Sequence, residues 1–151
     1  MPNASSRATG SALFTRRALL AICVICLIGC SHLLSPGEER RQKKLAVATE
    51  TYRKLLRWGY YEEAAQYLKG NGEEVSRPDL AQLARYKISG YHASEELRND
   101  TGDEVRLIAL IDYYEIDSGN ARTLRDEQYW WYDAEAERWY LGSPMPALGA
   151  R

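Results

Sequence analysis

Apolar and polar positions follow three different rhythms along this chain. Residues 18–28 are apolar without a break. Leu45, Ala48, Tyr52, Leu55 and Leu56 recur at three-to-four spacing, which marks one face of a helix. After Arg85 the spacing shortens to two, the period of a strand whose side chains alternate between faces.

Local signals set the element ends. Ser35-Pro36-Gly37-Glu38 reads as an N-cap, a proline at the first helical position and an acid closing a capping box, so a helix is predicted from there through about Trp58, with Gly59 as its C-terminal cap. Glu39–Lys43 and Glu50–Lys54 are i,i+4 pairs on its exposed side. A second helix is predicted from Tyr60 to Lys69, ending at Gly70-Asn71-Gly72, and a third from Pro78 to Ala84, with Glu73–Val75 as a short strand between them. Strands are predicted over Tyr86–Leu97 with a bulge at Gly90, Glu104–Ile116, Ala121–Tyr132 and Glu137–Leu141. Turns over Asn99–Gly102, Asp117–Asn120 and Asp133–Ala136 join them into an antiparallel meander. The last residues, with Pro144 and Pro146, are irregular.

The central strand is apolar on both sides. Val105, Leu107, Ala109, Ile111 and Tyr113 form one face; Ile108, Leu110, Asp112 and Tyr114 form the other. One face can meet the helices, and the second then needs a second copy, a partner or the C-terminal tail over it. Ile108, Leu110, Tyr114 and Trp130 are the candidate interface residues. Trp130 and Trp131 point to opposite faces, so one of them lies outside the core.

The uninterrupted run changes how the chain is counted. Eleven apolar residues behind Arg16-Arg17 are too few to span about 30 Å of hydrocarbon and fit a secretory leader. The run ends in Leu27-Ile28-Gly29-Cys30, which resembles the bacterial lipobox. That resemblance implies a leader removed before Cys30, a thiol and new amino group carrying acyl chains such as palmitate, and a lipid anchor as the membrane partner. Two or three chains, at about 0.8 kcal/mol per buried CH₂, hold firmly. Ser31, where an aspartate favours inner-membrane retention, points to the outer membrane and a periplasm-facing domain if the source is Gram-negative. The expected organisation is a signal peptide over 1–29, a lipidated tether over 30–37, an α+β domain over 38–142 and an irregular tail over 143–151.

Without residues 1–29, whose only charges are Arg7, Arg16 and Arg17, the chain carries 17 basic and 21 acidic side chains, a net charge of −4. That balance argues against nucleic acid as a partner, since phosphate backbones are held by clustered Lys and Arg. Arg40, Arg41, Lys43 and Lys44 form either a solvated helix face or a contact with anionic headgroups. Cys23 and Cys26 fall in the leader and Cys30 takes lipid, leaving no thiol for a disulfide or a metal.

The element order and the aromatic stretches Tyr129-Trp-Trp-Tyr-Asp133 and Trp139-Tyr-Leu141 resemble the NTF2-like α+β cone. The resemblance implies N-terminal helices packed on a curved four- to five-stranded antiparallel sheet, a pocket at its open end and dimerisation through the outer sheet face. Trp58-Gly-Tyr-Tyr-Glu-Glu-Ala-Ala65 is similar to part of a tetratricopeptide repeat, but there is one copy where about three are needed to bury a core. The strands that follow argue against it.

Tyr91, His92 and Asp112 are the candidate pocket residues, because a His–carboxylate pair in a pocket can do acid–base work. Some NTF2-like enzymes, polyketide cyclases among them, use acids in such a pocket. None of their motifs aligns residue by residue, so no catalytic residue is assigned. His-Glu-x-x-His, Gly-x-Ser-x-Gly and Walker patterns are absent, and neither a metal nor a cofactor is expected. The favoured reading is a membrane-anchored, non-enzymatic envelope module for binding or assembly, with a protein partner or homodimer. The alternative is a small-molecule pocket protein or enzyme.

Overall fold

A computed structural model describes residues 35–149 of the chain. The expected leader, Cys30 and the expected tether up to residue 34 lie outside the described residues. Among those described, no helix is long and apolar enough to cross a membrane.

Helix α1 (Pro36–Trp58) begins as its sequence predicts. The Glu38 amide donates to Ser35 Oγ, Glu38 in return accepts from the Ser35 amide at 2.7 Å, and Gly59 closes the other end in the left-handed conformation at φ 78°. Its buried face is Leu45, Ala48, Tyr52 and Leu56. Helix α2 is shorter than predicted, Tyr61–Ala65. The chain beyond it is taken over by the sheet: Leu141 donates to Tyr67 O at 2.7 Å, Lys69 donates to Leu141 O at 3.1 Å, and Leu68 bridges to Leu141 in parallel. These non-local bonds replace the last turn that periodicity alone would add. Helix α3 is one turn, Leu80–Leu83, capped by Asp79. Residues 73–75 form no strand.

Four antiparallel strands follow in sequence order: β1 (Tyr86–Arg98), β2 (Glu104–Glu115), β3 (Ala121–Asp133) and β4 (Arg138–Leu141). The register of β1 on β2 shifts between Ile88 and Gly90 and again between Glu95 and Leu97. Such bulges bend a strand and increase its twist, which lets the sheet curve over α1. Gly90 sits at the first, where a Cβ would press on the Asp112 carboxylate at 2.5 Å and force that side chain to move. The architecture is therefore helices on one face of a curved, four-stranded antiparallel sheet, the α+β arrangement expected. A helical-repeat architecture is excluded.

The core lies between α1 and the inner sheet face, where Tyr52, Ile111, Trp130 and Leu141 are wholly buried. Tyr52, Tyr67 and Trp130 form an edge-to-face triangle with centroids 5.5–5.9 Å apart, a geometry that adds to their area burial. The irregular segment after β4 contributes Met145 and Leu148 to the same core, and the Gly149 amide reaches Tyr113 Oη at 3.3 Å. That segment closes the inner side and leaves the outer face of the sheet bare among the described residues.

Candidate functional site

Strand alternation sorts the predicted residues onto two faces. Tyr91, opposite Ile111, points inward and is buried; His92, opposite Leu110, points outward and is exposed. Asp112 shares the outer face, where its carboxylate accepts from Thr123 Oγ1 at 2.7 Å. No hydrogen bond joins His92 to Asp112 among the described residues. The expected pocket of Tyr91, His92 and Asp112 is therefore not formed, since neighbours in a strand cannot line one side.

The inner face carries a polar cluster that the sequence reading missed. Gln128 Nε2 donates to Tyr91 Oη at 2.8 Å and to the Asp126 carboxylate at 2.7 Å, and Trp130 Nε1 donates to Gln128 Oε1 at 3.1 Å. Partial burial pushes the Asp126 carboxyl above its ordinary range, while the Gln128 bond pulls the other way. Burial also raises the Tyr91 and Tyr52 hydroxyls, and the Tyr52 hydroxyl has no partner among the described residues. The traceable signal is the spacing Asp126, Gln128, Trp130, every second residue on one face. These side chains fill the interior: Tyr52 and Trp130 are 0% exposed and Gln128 is 2% exposed.

The outer face is different. Its candidate interface residues Ile108 and Tyr114 are half-buried and Leu110 is 48% exposed. Trp130, expected with them, is instead a core residue; register on β2 places it opposite Val105, on the inner side. A groove of about 690 Å³ crosses this face, lined by Leu97, Arg106, Ile108, Arg125, Glu127 and Tyr129 and walled by Asn71 and Ser143. Tyr129 is held in the wall by Asn71 Nδ2 and by close approach to Gly142, where a Cβ would meet the ring at 2.7 Å. The groove offers an apolar floor, an Arg125–Glu127 ion pair and the exposed side chain of Arg106.

The adjoining aromatic ledge is already covered. Lys69 Nζ stands 5.5 Å over Trp131 and 4.9 Å over Tyr140 while pairing with Asp133 at 2.6 Å, which raises its affinity for a proton. No group of His, Cys, Asp and Glu among the described residues could hold a metal ion.

No protein-family model matches the chain, and no curated protein matches it. Among solved structures, a Mesorhizobium loti protein described as a SnoaL-like polyketide cyclase is similar over 66% of this chain and 94% of its own, at 14% identity and a TM-score of 0.38.

Proposed function

We propose that the chain is a lipid-anchored, non-enzymatic module of a bacterial envelope, tethered through Cys30 and facing the periplasm from the outer membrane. Its partner, a protein or a second copy, seats on the outer sheet face around Ile108, Leu110 and Tyr114. The observation that carries this reading is the contrast of a filled interior with a bare, grooved exterior. Supporting it are the lipobox-like Leu27-Ile28-Gly29-Cys30 and the resemblance to the NTF2-like cone. The test is intact mass of membrane-extracted protein beside Cys30→Ser, with crosslinking before extraction in wild type, Ile108→Lys and Leu110→Lys. Acylation at Cys30 and a crosslinked species lost in both lysine variants are expected. An unmodified mass would refute the anchor, and the lack of any crosslinked species sensitive to both variants would refute the face.

A second reading is favoured by Asp126 beside the unpartnered Tyr52 hydroxyl. On it the chain is a small-molecule pocket protein or enzyme with Asp126, not a His92/Asp112 pair, as its acid–base group. That reading requires the interior to open, and a small molecule retained by wild type but not by Asp126→Asn would establish it.

A further inference from the structure

Strand β3 has 13 residues, whereas β4 has four and covers only Trp130–Asp133. Beyond β4, Gly142 donates to Tyr129 O at 2.7 Å and Tyr129 donates to Ser143 Oγ at 3.2 Å. Pro144 then ends the pairing, having no amide hydrogen to continue it. Tyr129 thus turns both backbone groups towards the β4 side, and Tyr132 donates the opposite way, to Asp103 O at 2.8 Å. The β2–β3 register runs without a shift from Glu104–Trp131 to Tyr114–Ala121. Alternation therefore aims the N–H and C=O groups of Thr123, Arg125 and Glu127 away from β2. Among the described residues none of these groups has a partner, and all three residues are exposed.

An open edge of this kind is a template for another strand. Charge decides which strand. On the inner side this edge presents Arg122, Leu124 and Asp126. Arg122 makes no ion pair among the described residues, and the hydrogen bond to Asp126 comes from neutral Gln128. We propose that two copies pair antiparallel through β3, with Leu124 at the two-fold axis. Leu124 then meets the partner's Leu124, and Arg122 faces the partner's Asp126 twice over, as an isologous contact requires. Thr123 lies opposite the partner's Arg125, and Ala121 opposite the partner's Glu127. This register uses 121–127 and stops short of Tyr129, where Gly142 and Ser143 already sit. Sliding the centre to Asp126 sets carboxylate against carboxylate and runs into Ser143; sliding it to Arg122 sets guanidinium against guanidinium. The raised proton affinity of Asp126 accords with a carboxylate that lacks a cation in the single chain. The contact borders the outer groove at Arg125 and Glu127, but it is made by the backbone edge of β3 and does not use Ile108 or Leu110.

Sedimentation equilibrium of the full chain in density-matched detergent, with amide exchange read residue by residue, tests it. The expected result is a concentration-dependent dimer in which the Thr123, Arg125 and Glu127 amides become protected as it forms. Arg122→Glu should weaken dimerisation tenfold or more. Thr123→Pro, which removes an edge amide and the side-chain bond to Asp112 but no backbone bond of the β2 ladder, should abolish it where Thr123→Val, which lacks only the side-chain bond, does not. Leu110→Lys should leave it unchanged. A monomer at millimolar concentration would overturn the proposal and mark the edge charges as a guard against pairing. So would a dimer lost in Leu110→Lys but kept in Arg122→Glu, or edge amides that exchange freely within a dimer.

Discussion

The two faces of β2 share one backbone and opposite fates. Inward, Val105, Leu107, Ala109, Ile111 and Tyr113 are all buried, at 0–8% exposure; outward, Leu110 is 48% exposed and Ile108 and Tyr114 are half-buried. Both faces are largely apolar, so hydrophobicity alone does not say which one folds the protein. What separates them is the presence of α1 and the chain end on one side. The inner face consumes its side chains in packing, down to the hydrogen-bonded cluster of Tyr91, Asp126, Gln128 and Trp130. The outer face keeps apolar area that folding does not need, and this is the area available for association.

The contrast predicts its own ordering of mutational effects. Trp130→Ala should cost about 3–5 kcal/mol in denaturant unfolding, because a wholly buried indole leaves a cavity and strips Gln128 of a donor. A loss near zero would place Trp130 on the surface and collapse the distinction. Ile111→Ala should cost about 2–5 kcal/mol. Tyr52→Phe, which deletes a buried hydroxyl without a partner, should stabilise by about 1 kcal/mol. Clear destabilisation would show that something inside the cone satisfies that hydroxyl and would revive the pocket reading.

Asp126→Asn sharpens the comparison through pH. Its carboxyl is raised in the folded chain, so the folded state holds its proton more tightly than the unfolded state does. The contribution is therefore most favourable at pH below the unfolded value and is lost as pH rises through the folded value. Asparagine should raise the melting temperature at neutral pH and give little gain in acid. An equal gain at both would put the effect outside ionisation. Smallest of all, Leu110→Lys should change stability by no more than about 0.5 kcal/mol while removing association through the outer face and leaving the β3 edge contact intact.

Much of the architecture was legible because its signals are local. Ser35-Pro36 and Glu38 cap a helix wherever they occur, and the turns at 99–102 and 117–120 interrupt a two-residue period that needs no tertiary help. The misjudged features all depend on distant partners. Helix α2 stops at Ala65 because Leu141, over seventy positions away, claims the backbone around Leu68. Trp130 and Trp131 are indistinguishable in sequence, and only pairing with Val105 sends Trp130 inward. Asp126 lies in the polar run Arg125–Gln128, where nothing marks it as partly buried until β2 and α1 are in place. The tail's prolines announce irregularity but not that Met145 and Leu148 plug the core.

The central claim is that the inner face builds the domain and the outer face binds. A photo-crosslinking side chain placed at Leu110, in native membranes, tests it most directly against the same group at Val47, which is 67% exposed on α1. A discrete adduct at 110, reproducible and lacking at 47, is the predicted result. Equal labelling at both positions, or none at 110, would contradict the account.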